Sequence, residues 1–482
     1  MQKLHNLVIL HTNDIHSHFE QMPRIAGLLD RERALAGPTS TLTVDCGDHM
    51  DRAFLETEGS MGLANIEVLN ESGYDLVIPG NNEGLTLSAA SLALAYHQAR
   101  FSIACANLVE LSTGLAPDWM VPFRILTRDN VKVGFIGVTV AFEEYYRLLG
   151  WDTLDPFETV CRLAKKLRSE VDVLVVLSHL GLSADRELAA RIPEIDVILG
   201  GHTHHLLEQP LLENGVVICG AGKFGTHVGR VQISLDAETG AIHTIDACCL
   251  PTADVAPSEA IGSLVERHRE QSRSSLSRPL FRLTEPLTIS WEAESPFGNL
   301  LAAGIRRHTG AEIGLVNAGQ ILESLTAGDV TLARLHEICP SPINCCLCLL
   351  EGSELIAALE AALLPEFTLK PIYGYGFRGK LLGTLCLDNL TIEYEPLAEP
   401  FHRITRIWVG DELLDPKRVY RVGTIDMFRF GLGYPSLANG KTVQFYLPYF
   451  LRELLADELQ HPDIALSAPA CHWIPLTQPL TE

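Results

Sequence analysis

His11-Thr-Asn-Asp-Ile-His-Ser-His18 directly follows the short apolar run Leu7-Val-Ile-Leu10 near the start of the chain. A run this short and rich in branched side chains predicts a buried β-strand, and open α/β sheets bind their ligands at the carboxyl ends of strands. Asp14 and His16 stand two residues apart, so both side chains can reach one cation from an extended turn. A carboxylate combined with an imidazole suits Zn, Mn or Fe better than Ca.

Similar strand-like runs recur along the first half of the chain. The predicted strands are Leu7–Leu10, Thr41–Val44, Leu76–Ile78, Phe101–Ala104, Val133–Gly137, Val173–Leu177 and Val197–Leu199. Amphipathic segments such as Ala64–Ser72 and Phe157–Glu170 lie between some of them. Short strands that alternate with segments of this kind predict an α/β sandwich.

Polar side chains that can bind metals follow these predicted strands in a regular order. They are Asp48 in a Gly-Asp pair, Asn81 and Asn82 in Gly-Asn-Asn-Glu, His179 at the end of its run, and His202 and His204 in Gly-His-Thr-His. One such motif alone is weak evidence, because a single histidine at a strand end is usually structural. Together with Asp14 and His16, these make five motifs in succession, each after its own strand, and the series predicts a metal centre.

This order of motifs resembles the calcineurin-like metallophosphoesterases, and the opening stretch looks like their 5′-nucleotidase branch. Gly220-Ala-Gly-Lys-Phe-Gly225, followed by Gly229-Arg230, is a further match, and the resemblance covers nearly the whole chain. It implies a four-layer α/β/β/α metallophosphoesterase sandwich followed by a smaller α+β C-terminal substrate-binding domain. It also implies that the protein is a metal-dependent phosphoric ester hydrolase.

The same resemblance implies two divalent metal ions, which could be Mn, Zn, Fe or Mg. The ligands it implies are Asp14, His16 and His204 for the first ion, Asn81, His179 and His202 for the second, and Asp48 as the bridge between them. Two such cations bind phosphoryl oxygens and activate a water near neutral pH.

The sequence departs from the family pattern at Gly80-Asn-Asn-Glu-Gly-Leu85, where the family has Gly-Asn-His-Glu followed by Phe-Asp. Asn82 replaces the catalytic histidine and Leu85 replaces its supporting aspartate. Asparagine can donate a hydrogen bond to a phosphoryl oxygen but cannot deliver a proton, and losing acid catalysis removes on the order of 10²–10⁴ in rate. The predicted catalytic residues are Asp48 and this Asn82. The histidines left as possible substitute acids are His18, His49 and His205.

The sequence predicts three regions: 1–255, a calcineurin-like metallophosphoesterase domain; 256–280, a linker helix; and 281–482, a 5′-nucleotidase-type C-terminal domain. Ser258 can cap a helix that begins at Glu259. The apolar side chains that follow at helical spacing are Ile261, Leu264 and Val265.

In the second half, Ser295-Pro-Phe-Gly-Asn-Leu300 is expected to open a helix, and Ile313–Gly319 reads as a strand and turn. The resemblance places the end of this second motif beside the substrate, which makes Asn317 a predicted substrate-binding residue. Phe377 and Phe430 lie in glycine-containing stretches. In the family, phenylalanines from equivalent loops stack on the nucleobase, so the resemblance makes these two the candidates for stacking. The alternative is that both phenylalanines pack in the core of the small domain.

Composition limits the possible partners. The chain has 482 residues and a formal net charge of -23, which argues against nucleic acid as a partner. We expect no secretory leader, because no basic start followed by an apolar core precedes the first strand, and no membrane partner, because no apolar run approaches the roughly 20 residues that span a bilayer. The twelve cysteines show no regular spacing, so a reduced, cytoplasmic protein is predicted.

These observations together predict a dinuclear-metal phosphoesterase that hydrolyses nucleotides or related phosphorylated small molecules, and so a role in nucleotide catabolism. The substrate would be a small phosphate ester, which also makes the protein nucleotide-binding. Two alternatives remain open at this point. One is a hydrolase of cyclic or activated phosphodiesters, and the other is a metal-containing nucleotide-binding protein with little turnover.

Overall fold

The structure is a computed structural model that describes residues 4–460 and 471–476. The chain divides into two compact units, Met1–Arg273 and Ser274–Glu482. Among the residues described, we find no helix with the length and apolar character needed to cross a membrane.

The first unit contains short strands alternating with helices, as the sequence predicts. Its strands are β1 (Leu4–Thr12), β2 (Thr41–Asp45), β3 (Leu76–Val77), β4 (Ser102–Ile103), β5 (Leu108–Glu110), β6 (Phe123–Arg128), β7 (Val131–Thr139), β8 (Trp151–Thr153), β9 (Val173–His179), β10 (Val197–Gly200), β11 (Leu211–Glu213), β12 (Val216–Cys219), β13 (His227–Asp236) and β14 (Ile242–Pro251). Its helices are α1 (Met22–Ala36), α2 (Leu55–Ser60), α3 (Leu63–Glu71), α4 (Asn81–Thr86), α5 (Ala89–Tyr96), α6 (Glu143–Leu148), α7 (Pro156–Leu167), α8 (Leu182–Arg191) and α9 (Glu259–Leu276). Each of the seven predicted strands overlaps an observed strand.

Two six-stranded sheets form the centre of this unit, in the orders β14-β13-β1-β2-β3-β4 and β11-β12-β10-β9-β7-β6. β1 runs parallel to β2, with Val8 opposite Thr41, and antiparallel to β13, with His11 opposite Gly229. The parallel strands β1, β2 and β3 therefore end at the same edge of their sheet, and β7, β9 and β10 do so in the other.

The core between the two sheets comes from alternate residues of each strand. Leu7 and Ile9 of β1 share one buried cluster with Val173 and Val175 of β9. The residues between them face the other way, and Leu174 joins a second cluster with apolar residues of α7 and α8. On the outer side of the first sheet, α1 contacts β1 and β2. The predicted four-layer α/β/β/α sandwich is confirmed.

The helix predicted around Ser258 is α9, which begins at Glu259. His268 Nε2 lies 3.0 Å from Glu67 Oε2 of α3, and Arg269 Nε donates to Glu56 Oε1 of α2 at 2.8 Å. Most of α9 thus packs on the first unit, and the division between the two units falls near its end, inside the predicted 256–280 linker.

The second unit is the predicted α+β mixture. Its strands are β15 (Pro279–Leu283), β16 (Ile313–Asn317), β17 (Gly328–Thr331), β18 (Asn344–Glu351), β19 (Leu385–Asp388), β20 (Leu390–Tyr394), β21 (Ile404–Val409), β22 (Glu412–Leu413), β23 (Val419–Ile425), β24 (Lys441–Phe450) and β25 (Trp473–Pro475). Its helices are α10 (Pro296–Thr309), α11 (Leu332–Ile338), α12 (Gly352–Ala362), α13 (Pro365–Thr368) and α14 (Leu451–Leu459). A five-stranded sheet, β19-β16-β23-β18-β24, packs against α10 and carries the loops that hold the predicted substrate residues.

Candidate metal centre

The turns after five strands bring the predicted metal ligands together. Asp14 follows β1, Asp48 follows β2 and Asn81 follows β3, while His179 ends β9. The segment after β10 carries His202 and His204. The site therefore lies where the carboxyl ends of parallel strands from both sheets meet.

Five of the predicted ligands adopt an unusual backbone conformation. These non-glycine residues have positive φ angles between 48° and 70°, and they are Asp14, His16, Asp48, His202 and His204. This left-handed region is uncommon for residues with a Cβ, and such strain concentrates at functional sites. The turns support one another, because Asp14 N donates to Gly47 O at 3.0 Å and His16 N donates to Asp48 O at 2.9 Å.

Gly80 allows a close approach that the site requires. A Cβ at this position would lie 2.1 Å from Asp48 Oδ1 and 2.4 Å from Asp48 N. Gly47 has a different function, because its φ of +91° is a conformation that glycine adopts without strain. The glycines before the ligands thus matter for two distinct reasons, close approach and backbone conformation.

The first cluster of ligand atoms contains Asp14, His16 and His204. Asp14 Oδ1 lies 3.4 Å from His204 Nε2 and 3.8 Å from His16 Nε2. The two imidazole nitrogens are 3.2 Å apart. Three ligand atoms this close together can contact one cation, and they are the three predicted for the first ion.

The second cluster contains Asp14, Asp48 and His179. His179 Nε2 lies 3.3 Å from Asp48 Oδ1 and 4.0 Å from Asp14 Oδ1. The other oxygen of Asp48, Oδ2, lies 3.9 Å from His16 Nε2 of the first cluster. The two oxygens of Asp48 thus face different clusters, as a bridging ligand requires. The structure adds that Asp14 also belongs to both clusters.

Two predicted ligand atoms are buried without a hydrogen-bond partner among the described residues: His179 Nε2 and Asn81 Oδ1. Buried polar atoms in folded proteins are almost always paired, so each unpaired atom calls for an explanation. His179 Nδ1 lies 2.8 Å from the carbonyl oxygen of Cys46, which can accept its proton and leave the Nε2 lone pair free. This donor set of imidazole nitrogens, carboxylates and an amide oxygen fits divalent metal ions.

The electrostatics of His179 favour a cation at the same place. Burial alone would lower the pKa of its imidazole, but the carboxylates of Asp48 and Asp14 outweigh burial and raise the pKa to about 10. Two carboxylates that hold a proton on a fully buried ring can stabilise a metal cation there instead.

His202 contacts the site mainly through its backbone. Its N–H lies 3.1 and 3.0 Å from the two oxygens of Asp14 and donates to them. Its ring centroid is 5.3 Å from that of His179, beside the second cluster. Burial, followed by the nearby His179, lowers the pKa of His202 to about 4, which keeps the ring neutral and available as a ligand.

Asn82 lies among the ligands, with contacts that the sequence does not reveal. Its N–H donates to Asp48 Oδ1 at 2.8 Å, and its Nδ2 lies 2.8 Å from His16 Nδ1. The amide is therefore engaged with a metal ligand, whereas the sequence predicted that it holds a phosphoryl oxygen. The neighbouring Glu83 accepts hydrogen bonds from the backbone N–H groups of Gly80, Asp48 and Met50 and so fixes the turn.

The three possible substitute acids differ in position. His49 is buried, and its Nε2 has no hydrogen-bond partner within residues 4–460 and 471–476. Burial lowers its pKa to about 3, so it stays neutral inside the fold. His205 is exposed and lies 2.9 Å from Thr203 Oγ1. His18 is partly exposed and pairs with Glu20 Oε1 at 2.7 Å. Its ring packs against Phe54 and against Phe224, and the Phe224 ring also lies near the rings of His16 and His204.

In the second unit, two of the three predicted substrate residues are buried. Asn317 is fully buried, its Nδ2 donates to Leu382 O at 2.6 Å, and its Oδ1 accepts from Gln320 Nε2 at 3.0 Å. Phe377 is only 4% exposed. The Asn317 amide thus holds the turn. The Phe377 ring packs in the core, which is the alternative that the sequence left open.

Phe430 is 48% exposed and faces Tyr375, which the sequence analysis missed. The two ring centroids are 5.2 Å apart, and Tyr375 is 58% exposed. Tyr375 stands between Gly374 and Gly376, and all three residues have positive φ. The sequence signal that could have identified Tyr375 is its position between two glycines, because such a short turn tends to leave an aromatic side chain exposed.

Comparison with known proteins agrees with the fold and shows the family of the chain. Residues 7–206 match the calcineurin-like phosphoesterase family, and residues 281–438 match the 5′-nucleotidase C-terminal domain. Over 458 residues the chain is 36% identical to the uncharacterized metallophosphoesterase YunD of Bacillus subtilis, across 94% of this chain and 99% of that protein.

Two further proteins extend the comparison. A snake venom 5′-nucleotidase of Crotalus adamanteus is 24% identical over 463 residues, across 82% of this chain and 78% of its own. The solved structure of Haemophilus influenzae NAD nucleotidase shares the fold with a TM-score of 0.71 at 17% identity, over 98% of this chain and all of the other.

Fold, ligand clusters and comparisons define a metal-dependent phosphoric ester hydrolase. Within that class, the chain belongs to the calcineurin-like metallophosphoesterases that carry a 5′-nucleotidase C-terminal domain.

Proposed function

We propose that this protein hydrolyses nucleotides, or closely related phosphorylated small molecules, at a centre of two divalent metal ions. The observation that carries the proposal is the pair of ligand clusters that share Asp14 and are both faced by Asp48. One relative is named a 5′-nucleotidase and one structural neighbour an NAD nucleotidase, which supports a nucleotide as the substrate class.

We propose the same residues as ligands that the resemblance implies. Those that would hold them are Asp14, His16 and His204 at one position, Asn81, His179 and His202 at the other, and Asp48 at both. Divalent ions held there would offset the charge on a phosphoryl group and activate water near neutral pH.

The chain itself orients this centre and shields it. Asp48 is fixed by the backbone N–H of Asn82, and Asp14 by the backbone N–H of His202. The N–H of Phe224 donates to the carbonyl of Asp14 at 2.8 Å, which brings the Phe224 ring within 5.9 Å of the ring of His16. Side chains held in this way on strand ends keep the precise geometry that phosphoryl transfer requires.

The nature of residue 82 supports a second candidate function. An amide supplies no proton to a leaving group, and the Asn82 amide is engaged with His16. Substrates with acidic leaving groups need no such proton. Cyclic or activated phosphodiesters are therefore the second substrate class that we propose.

We also propose that the exposed pair Tyr375 and Phe430 stacks on a nucleobase. Stacking on an aromatic ring contributes about 1–3 kcal/mol per base and tolerates different bases. Exposed aromatic rings in glycine-containing loops support this assignment, since their faces are accessible without unfolding the domain.

A substrate panel tests the proposal. Protein loaded with Mn²⁺ is assayed against AMP, p-nitrophenyl phosphate, bis-p-nitrophenyl phosphate and a 2′,3′-cyclic nucleotide. We expect metal-dependent turnover of at least one nucleotide, with the acidic-leaving-group esters fastest. Turnover of bis-p-nitrophenyl phosphate or of the 2′,3′-cyclic nucleotide, without turnover of AMP, would favour the second candidate. Saturable nucleotide binding without any turnover would overturn both in favour of a binding protein.

We further propose a cytoplasmic location. All twelve cysteines are free thiols, and Cys346 Sγ and Cys348 Sγ lie 3.6 Å apart without a bond between them. Thiols this close persist in reducing compartments, which supports the proposal. Thiol labelling of protein freshly released from its native cells tests it, since an extracellular origin would leave such pairs oxidised.

A further inference from the structure

Asn82 contacts two candidate metal ligands at once. It is the second residue of α4, and its backbone N–H donates to Asp48 Oδ1 at 2.8 Å. Its side-chain Nδ2 lies 2.8 Å from Nδ1 of His16, a residue 66 positions earlier in the chain. The side chain therefore acts on a different ligand from the backbone of the same residue.

The ring of His16 can use each nitrogen for one purpose only. Its Nε2 faces Asp14 and His204 in the first cluster, so a cation bound there needs the Nε2 lone pair. The proton of the neutral ring must then lie on Nδ1, and Nδ1–H needs an acceptor. An amide can meet Nδ1 in two ways: Nδ2–H donates to a lone pair, or Oδ1 accepts the proton after the amide rotates by 180°.

The surroundings leave Asn82 as the residue best placed to supply that acceptor. Asp51 Oδ2 lies 3.8 Å from His16 Nδ1, which is beyond hydrogen-bond length. Rotation of the Asn82 amide loses a weak interaction, because the distance from its Oδ1 to Asn81 Nδ2 is 3.4 Å, which is long for a hydrogen bond. The ring of His16 is otherwise enclosed, so this contact controls which of its nitrogens carries the proton.

We propose that Asn82 is a positioning residue for the metal ligand His16. Its Oδ1 accepts Nδ1–H of His16 when the first cluster holds a cation, and it thereby presents the Nε2 lone pair to that cation. The inference deepens the proposed function and rests on its metal centre. It changes the function of this position from handling the substrate to holding one of the two ions.

The test measures metal affinity without any substrate, so its outcome does not depend on which ester the protein cleaves. Metal-free protein is titrated with Mn²⁺ by competition calorimetry, and the Co²⁺-loaded protein is followed by its visible absorption spectrum. The variants are Asn82→Leu, which removes both hydrogen-bonding ends at similar size, and Asn82→Asp, which keeps an acceptor. Thr86→Val is the matched control, because the substitution removes the hydroxyl that donates to the Asn82 carbonyl in the same short helix.

We expect Asn82→Leu to lower the affinity for one of the two ions by about 10–100-fold, which is the usual effect of losing the hydrogen-bond partner of a metal-bound histidine. The other ion should stay within threefold, because the backbone N–H of residue 82 still holds Asp48. The Asn82→Asp protein should bind both ions at least as tightly as the natural protein. Its Co²⁺ absorption spectrum should resemble that of the natural protein.

Three results would overturn the inference. The first is an Asn82→Leu protein that binds both ions with the affinity of the natural protein. The second is an equal loss of affinity for both ions. The third is an Asn82→Asp protein that binds the ions as weakly as Asn82→Leu does. Melting curves in chelator show whether each variant folds, and Asn82→Ala replaces Asn82→Leu if leucine lowers the melting temperature. Failure to bind any Mn²⁺ in the natural protein would instead contradict the proposed function itself.

Discussion

Gly80→Ala should destroy the metal centre while leaving the fold largely intact. The added Cβ would lie 2.1 Å from Asp48 Oδ1, whereas side-chain carbons in proteins essentially never approach other atoms closer than 3.0 Å. Asp48 would have to recede by about 0.9 Å. Metal sites tolerate ligand displacements of about 0.2 Å, and a 1 Å misplacement can cost on the order of 10²-fold in rate, or about 2.7 kcal/mol of transition-state stabilisation.

The assay combines metal analysis with turnover of an aryl phosphate, since that ester does not depend on base recognition. We expect fewer bound ions and at least tenfold lower kcat/KM in Gly80→Ala. Gly262→Ala is the control: its Cβ would meet only Pro23 Cγ at 4.0 Å, and alanine in the interior of α9 should stabilise the helix by about 0.5–1 kcal/mol. Full metal content and turnover in a well-folded Gly80→Ala protein would refute the reasoning.

Three further substitutions test other parts of the molecule. Asp48→Asn should lower the content of both ions, because its two oxygens face different clusters; metal analysis after reloading with Mn²⁺ would show loss of a single ion if the bridge assignment is wrong. Phe430→Ala should weaken nucleotide binding by about 1–3 kcal/mol and spare aryl phosphate turnover, whereas Phe377→Ala, in the core, should lower the melting temperature; equal effects of both would contradict the stacking proposal. Burial raises the pKa of Asp185 from 3.8 to about 7, so the folded protein holds a proton on this carboxyl that the unfolded chain releases above about pH 4. The resulting contribution to the free energy of unfolding is complete below about pH 4 and is lost as the pH rises through 7. Asp185→Asn should make the free energy of unfolding fall less steeply with pH in denaturation curves, and an unchanged slope would contradict this.

Much of the first unit could be predicted because its signals are local. Apolar runs such as Val173–Leu177 mark buried strands by composition, and a polar residue at the end of each run marks the edge where ligands gather. The hairpin β13–β14 could not be read in the same way. It adds to β1 through pairs such as His11 with Gly229, and a pairing across more than 200 residues leaves no local trace.

Contacts between residues that are distant in sequence also limited the prediction of the candidate site. Residue types and order pointed to the ligands, but the contact between Asn82 and His16 depends on how two turns from different strands meet. In the second unit, Phe377 and Phe430 both lie close to glycines in the sequence, Phe377 in a loop and Phe430 at the end of the 3-10 helix Asp426–Phe430. One ring is buried and the other is about half exposed, and composition could not separate them.

The left-handed backbone at five of the predicted ligands lowers the free energy of unfolding of the protein. Each such residue costs about 1–2 kcal/mol, against a net stability of 5–15 kcal/mol for a typical domain. Laboratory evolution that selects only for heat resistance, in the presence of a chelator, should therefore accumulate glycine or asparagine at these positions first. Heat-resistant descendants obtained in this way would be inactive, and the order in which they lose their ligands would rank the strain at each turn.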